Sequence, residues 1–281
     1  MIARTVLIVA ALTLQEAARR KVLRALAVLT VLLLGLSAWG FNRLAAEFGE
    51  FTTGESTMAA SIVLNLVMFG LSLIAALGTA FLAGPTLSGE IESGIALAIM
   101  TRPIRRSAVL VGKWAGLVVF GSGFVAVAGF AQLVIVRVNL GYWPPQPVTG
   151  LAFLAAQTTV LLTLGMLLST FVSPMASGIV AVGLFGATWI AGVVGAVGEA
   201  FNNQSVAQVG TVSRMLLPTD GLWRGAMQSF QHPALVELAG GRIESPLLSV
   251  NSLTPAYVAW AGVWVAIILG LAALSFQRRD L

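Results

Sequence analysis

The side chains that could do acid–base or nucleophilic chemistry are few and scattered in this sequence of 281 residues. A catalytic metal centre needs two or three histidine or carboxylate ligands, yet His232 is the only histidine, and Pro233 follows it. Glu90 and Glu92 form a close acidic pair, but no histidine accompanies them. No sequence argument brings a histidine or lysine to Ser122, which stands between two glycines. We therefore expect no catalytic and no metal site, and keep an intramembrane enzyme only as an alternative.

The pair Gly112-Lys113 is the nearest approach to a nucleotide-binding motif. A Walker A loop has an upstream glycine at fixed spacing and a serine or threonine after the lysine, which binds the metal ion of the nucleotide. Here Trp114 follows the lysine, and no glycine stands at the required upstream position. The sequence thus predicts that the chain binds no ATP by this route and needs no cofactor of its own.

Hydrophobic residues make up 58% of the chain and charged residues only 10%, whereas a soluble domain carries about 25% charged residues. A helix needs about 20 apolar residues to cross the hydrocarbon core of a membrane. Six segments qualify: residues 22–41, 58–83, 114–136, 148–172, 176–198 and 255–276. The fourth and fifth must form a helical hairpin, because only Ser173 and Pro174 separate them. We predict an all-α polytopic membrane protein, one domain over residues 1–281 with six transmembrane helices.

The distribution of Lys and Arg predicts the orientation. With the amino terminus inside, 11 of the 16 basic residues fall in inner segments and 5 in outer ones. Basic residues favour the cytoplasmic side, so both termini are predicted to be cytoplasmic in a plasma (inner) membrane. The net charge of +5 then reflects anchoring to the bilayer, and no nucleic-acid partner is expected.

Two segments outside the spans have amphipathic patterns. Residues 1–21 place Arg4 and Arg19 on one helical face and Val6 and Ala17 on the other, which predicts a helix on the inner membrane surface. Residues 199–254 form a long outer loop. In it, apolar residues recur at helical spacing opposite Arg224 and Gln228, and these apolar residues are Leu222, Trp223, Ala226, Met227 and Phe230. This pattern predicts a short interfacial helix in the outer leaflet.

Residues 84–113 form the one sizeable inner loop, with acid at its start and base at its end. Ser88 is a candidate cap for a helix that carries an apolar stripe of Ile91, Ile95 and Ile99, and Pro103 would stop that helix. Lys113 is expected to extend back to the interface. This apolar stripe must be buried against something, and two interpretations are open. The helix lies on anionic lipid headgroups, or it docks into another protein.

Three stretches of this loop resemble the signature of ABC-2 type permeases, the membrane subunits of a class of ATP-binding-cassette exporters. They are Glu90-Ile91-Glu92-Ser93-Gly94, Met100-Thr101-Arg102-Pro103-Ile104-Arg105-Arg106-Ser107 and Gly112-Lys113. Ile95 stands where the family commonly has threonine. The chain end from Phe276 to Leu281, the six spans and the outer loop are similar as well, so the resemblance covers essentially the whole chain.

The resemblance implies that the inner loop is a coupling helix seated in a separate ATPase subunit. The residues carried over to this contact are Glu90, Ile91, Glu92, Gly94, Ile95, Ile99, Arg102, Pro103, Arg105 and Arg106. It also implies a candidate outer gate at Leu222, Trp223, Met227 and Phe230. The implied assembly pairs two permeases, as a homodimer or with a paralogue, with two ATPases that bind the ATP, and it favours export.

Small and polar residues inside the spans indicate close helix packing. Glycines and alanines recur four residues apart in three spans, at Gly112 and Gly116, at Ala187, Ala191 and Gly195, and at Gly262, Ala266 and Gly270. Such spacing lets helices approach closely within one subunit or between two. Gln132 and Gln157 are expected to bond between helices. Because no acidic residue lies in the spans, an ion-coupled secondary transporter is the weaker alternative, and a structural anchor would not need six spans.

Overall fold

The computed structural model describes residues 2–47, 53–92, 106–238, 248–250 and 252–278. These residues form ten helices. In chain order they are α1 Ile2–Arg19, α2 Lys21–Glu47, α3 Thr53–Glu92, α4 Arg106–Leu140, α5 Pro147–Ser169, α6 Pro174–Ala200, α7 Gln204–Leu216, α8 Thr219–Phe230, α9 Pro233–Leu238 and α10 Pro255–Arg278. The predicted all-helical fold is confirmed.

Six of these helices are long and apolar enough to cross a membrane: α2, α3, α4, α5, α6 and α10. They coincide with the six predicted spans, and the turn at Ser173 joins α5 to α6 as predicted. The 40 residues of α3 extend about 60 Å, twice the hydrocarbon thickness. Helix α3 therefore continues well beyond the bilayer on at least one side.

The inner end of α3 differs from the prediction. We expected a new helix capped by Ser88, but α3 runs without a break through Pro85 and Ser88 to Glu92. Pro85 removes one backbone donor, and the hydroxyl of Thr86 donates to the Leu82 carbonyl in the same turn. This bond adds a second donor to the Leu82 carbonyl and does not reach the Phe81 carbonyl, which is the one that lacks a helical donor because of Pro85. Only residues 93–105 of the predicted inner loop lie outside the described residues.

Helices α3 and α5 form the centre of the bundle. More than half of their apolar windows is buried, 56% each, against 17% for α2 and α10. Helix α3 contacts α2, α4, α5, α6 and α8, and α5 contacts α3, α4, α6, α8 and α10. Together α3 and α5 therefore contact all four of the other candidate spans, α2, α4, α6 and α10.

Helix α1 packs against the first turns of α4 through two glycines. A Cβ at Gly112 would lie 2.8 Å from Val9 Cβ, and one at Gly116 would lie 2.5 Å from the Ala10 carbonyl oxygen. Ala17, on the predicted apolar face, is 2% exposed. The small-residue spacing at the start of the third span thus serves packing within one subunit, and the apolar face of α1 is turned toward the protein.

The other two small-residue stripes have different surroundings. In α6, a Cβ at Gly195 would lie 2.7 Å from Gly210 Cα of α7, so this stripe also packs within the subunit. In α10, Gly262 and Gly270 have nothing within 4 Å of an added Cβ. A contact between subunits there stays a prediction.

Substitution of Gly116 by valine should destabilise the protein, because the new side chain collides with the backbone of α1. We expect a loss of about 1–3 kcal/mol, measured as a lower melting temperature of the detergent-solubilised protein. Gly123→Val in the same helix is the matched control, since it meets nothing within 4 Å. It should change stability by about 0.5 kcal/mol or less. Equal melting temperatures for the two variants would contradict the α1–α4 packing.

Candidate functional site

The predicted coupling residues lie at the end of α3, at the start of α4 and in the segment between them. Glu90, Ile91 and Glu92 belong to the last turn of α3, and Arg106 is the first residue of α4. The remaining six, Gly94, Ile95, Ile99, Arg102, Pro103 and Arg105, lie outside the described residues. Their role stays a prediction.

Lys113 links α3 and α4, the two helices on either side of this segment. Its ammonium group donates to the Thr86 carbonyl oxygen of α3 at 2.9 Å, and the residue is 6% exposed. We expected Lys113 to extend to the interface, but it turns inward instead. The carbonyl oxygens toward the C-terminal end of a helix carry partial negative charge, which attracts a cation. Residues 92 and 106 are therefore held in a fixed frame on either side of the segment.

The end of the bundle that is predicted to face outward contains a re-entrant hairpin, formed by α7 and α8. After α6, the chain reverses at Asn202, whose φ of 53° lies in the left-handed region that asparagine tolerates. Helix α7 then runs back along α6, capped by Asn203, whose side chain accepts from Val206 N. Helix α8 begins at Thr219 and leads outward again.

The hairpin reaches about half way along the candidate span α6. Its tip residue Thr219 bonds Thr188 of α6, with 3.0 Å between the two hydroxyl oxygens. Thr188 precedes Ala200, the last residue of α6, by a helical distance of about 18 Å. It therefore lies near the midpoint of α6, which is long and apolar enough to cross a membrane.

Helix α8 is buried, which corrects the predicted interfacial position. Its helical nature is as predicted, but every residue from Thr219 to Phe230 except Gln228 is buried. Helix α8 lies against α3, α5, α6 and α7. Two glycines admit it closely: a Cβ at Gly150 would lie 2.4 Å from the Phe230 ring, and one at Gly221 would lie 2.3 Å from the Tyr257 hydroxyl.

An ion cluster lies at the tip of the hairpin. Asp220 Oδ2 accepts from Nε of Arg214 and from Nε of Arg224, each at 3.0 Å. Arg224 Nη2 also donates to the Gly192 carbonyl of α6 at 3.0 Å. A Cβ at Gly192 would lie 2.3 Å from Asp220 Oδ2, so only glycine admits the carboxylate there. Asp220 stands in the first turn of α8, where the helix dipole favours an anion.

Three aromatic side chains of α10 donate hydrogen bonds to the last carbonyl groups of α7. The last carbonyls of a helix have no partner within it, and in α7 these are the carbonyls of residues 214, 215 and 216. Tyr257 Oη donates to the first at 3.0 Å, Trp260 Nε1 to the second at 3.2 Å and Trp264 Nε1 to the third at 2.8 Å. Because these donors lie along one side of α10, the last span holds the hairpin in place.

The sequence analysis missed both features. It placed Arg224 on the polar face of a predicted interfacial helix and did not pair it with Asp220. The spacing of Asp220 and Arg224, four residues apart, is the signal for an ion pair on one helix face. The sequence also shows three aromatic residues on one helix face, Tyr257, Trp260 and Trp264. Nothing in the sequence shows that their hydroxyl and indole donors face the last carbonyls of another helix.

The four predicted gate residues all belong to α8 but pack into two different core clusters. Leu222 packs in a core cluster with α5, α6 and α10, and the other three join the cluster formed with α3 and α4. The Trp223 ring lies 5.3 Å from the ring of Phe69 in α3. Its indole Nε1 is buried and has no hydrogen-bond acceptor among the described residues.

The polar residues of the spans bond between helices, as predicted for Gln132 and Gln157. Gln132 donates to Ser37 Oγ of α2 at 2.6 Å. Gln157 accepts from Ser72 Oγ of α3 at 2.9 Å and donates to the Thr219 carbonyl at 3.3 Å. At the outer end, Tyr142 donates to the Phe230 carbonyl at 2.7 Å. Burial raises the pKa of the Tyr142 hydroxyl, which therefore remains a donor at physiological pH.

Six membrane-crossing helices and a re-entrant hairpin with a paired charge cluster define a polytopic helical membrane protein. Within the described part of the chain, no group of three or more His, Cys, Asp or Glu residues is placed to hold a metal ion. The chain belongs to the ABC-2 family: residues 7–281 match the family model described as ABC-2 family transporter protein. A search of curated proteins finds no match. The predicted resemblance to ABC-2 type permeases is confirmed.

Replacement of Asp220 by leucine should strongly destabilise the protein, because two guanidinium groups would lose their buried partner. Breaking such a pair costs about 3–5 kcal/mol, which a melting curve in detergent detects. Glu16→Leu is the control, since the Glu16–Arg20 pair is exposed and is worth about 1 kcal/mol or less. Arg214→Leu combined with Arg224→Met should restore part of the stability lost in the Asp220 variant. A tolerated Asp220→Leu change would contradict the cluster.

Proposed function

We propose that this chain is the membrane-spanning subunit of an ATP-binding-cassette exporter and that a separate ATPase subunit binds the segment between α3 and α4. The family match over residues 7–281 carries the proposal. The contact comprises the ten coupling residues named above, from Glu90 to Arg106. The partner binds and hydrolyses the ATP, so this chain contributes no catalytic residue and no cofactor.

The proposed orientation places this segment in the cytoplasm of a plasma (inner) membrane. Most basic residues then lie on the inner side, and the re-entrant hairpin opens to the outside. Both termini are cytoplasmic in this arrangement. The coupling segment is then on the inner side, and the gate residues extend from the middle of the bundle toward the outer face.

Helix α3 is the proposed mechanical link between the two faces. Its inner end at Glu92 leads into the coupling segment, and Lys113 ties that end to α4. Phe69, about 35 Å away along the same helix, contacts Trp223 of α8. A tilt of α3 imposed by the ATPase would therefore act on the gate residues directly. Two copies of the chain, each contributing half of the path, complete the proposed assembly.

The charge cluster at half depth favours a second candidate, an ion-coupled secondary transporter. Charges near the membrane midplane and broken helices mark the ion sites of such proteins. Asp220, however, already accepts from two guanidinium groups, which oppose the binding of a cation. A role in holding the hairpin accounts for the cluster without a transported ion, so the ATP-driven permease remains the proposal.

The ATPase contact can be tested by purification of the tagged protein from its native membrane in mild detergent, with mass spectrometry of what co-purifies. We expect a stoichiometric ATPase with a P-loop motif. Changing Ile91, Ile95 and Ile99 together to aspartate should remove it, because charge cannot replace a buried apolar stripe. Changing Arg105 and Arg106 to glutamate should weaken it at least tenfold.

The control for these variants reverses two charges on the same side of the membrane. Arg4→Glu with Arg19→Glu alters α1 by an equal charge and leaves the coupling segment intact. It should retain the ATPase. An ATPase that stays bound to the isoleucine variant would contradict the assigned contact, and the absence of any ATPase from the wild type would contradict the proposed function.

A further inference from the structure

A groove of about 660 Å³ opens between the inner ends of α5 and α10. No described residue of the coupling segment or of the re-entrant hairpin lines it. None of the functions discussed above uses it. Its walls change in character along its length, and this change indicates an amphipathic ligand.

Helix α10 supplies the wall that changes from apolar to charged along its length. Leu271, Leu274, Ser275 and Arg278 line the groove, and their spacing of three, four and seven residues places them on one helix face. From Leu271 to Arg278 this face extends about 10 Å. It is apolar in the membrane, then carries a hydroxyl group, and ends in a guanidinium group at the inner end of the span.

The end of α5 and the turn that follows it supply an apolar wall opposite. Leu167 and Phe171 line this side, and Phe171 is 65% exposed. The nearby Thr170 hydroxyl donates to the Leu167 carbonyl at 2.7 Å, so this donor is turned to its own helix. The polar end of the groove is therefore built by α10.

The charge at the groove mouth is positive and lies at headgroup level. Arg278 is exposed and ends α10. It is the only charged side chain among the described residues that line the groove. A phosphate group that is covalently joined to an acyl chain satisfies both the cationic end and the apolar walls.

We propose that this groove binds one anionic glycerophospholipid of the inner leaflet. Arg278 and Ser275 hold the phosphate, and one acyl chain lies along Leu271, Leu274 and Phe171. A basic pocket between helices at the inner membrane face recognises anionic headgroups in this way. A soluble protein does not suit the apolar walls, which lie at hydrocarbon depth. A second copy of the chain would bring its own arginine to the same mouth.

Native mass spectrometry of the purified protein tests the site. The probes are dioleoylphosphatidylglycerol and dioleoylphosphatidylcholine, which share acyl chains and differ in net charge. The wild type should bind the first phosphatidylglycerol about fivefold more tightly than phosphatidylcholine, as one cation at the membrane surface allows. Arg278→Gln should remove this preference, and Ser275→Ala should reduce it.

Two further variants distinguish lipid binding in the groove from the general attraction of anionic lipids to positively charged residues. Arg4→Gln removes an exposed cation on the same side, outside the groove, and should keep the preference. Leu274→Trp fills the groove and should weaken the binding of both lipids. The melting temperature of the variant checks that it is folded. An Arg278→Gln variant that keeps the wild-type preference would overturn the proposal, as would a Leu274→Trp variant that binds both lipids normally. Lipid adducts lost whenever two copies associate would also overturn it, in favour of a subunit contact.

Discussion

Every charge and backbone polar group placed within the membrane needs a partner inside the protein, because lipid tails supply none. The re-entrant hairpin depends on this constraint more than any other element. Helix α7 ends near the midpoint of the candidate span α6, and its last carbonyls accept from Tyr257, Trp260 and Trp264 of α10. Asp220 pairs with two arginines at the same depth. Without these partners the hairpin could not remain in the membrane.

The position of the hairpin determines what the rest of the molecule can transmit. With α8 buried, Trp223 contacts Phe69 of the central helix α3, and Gln157 of α5 bonds both Ser72 and the hairpin tip. At the inner face, Lys113 ties α3 to α4. The two faces of the membrane are thus joined by two central helices with polar bonds at both ends. The proposed coupling of an ATPase to the gate residues requires such a connection.

Much of this fold could be predicted from the sequence, because a transmembrane span is a one-dimensional signal. The six spans, the turn at Ser173 and the helix over residues 222–230 follow from hydropathy and spacing alone. The burial of α8 could not be predicted in this way. Arg224 indicates a water-facing side until its partner Asp220 and its acceptor at Gly192 are known. Lys113 was assigned to the interface for the same reason, since its acceptor lies on another helix.

The depth of the hairpin is the claim on which this account depends most directly, and spin labelling measures it. The chain has no cysteine, so single cysteines can be placed at Leu216 at the end of α7, at Ile190 in α6 and at Phe201 at the outer end of α6. All three side chains are exposed on the surface of the subunit. In reconstituted bilayers, the labels at 216 and 190 should both collide often with oxygen, which enters the hydrocarbon core. Neither label should collide often with a polar nickel chelate, which stays in water. A label at 216 that meets the nickel chelate as readily as the label at 201 would place the hairpin outside the membrane and contradict the account.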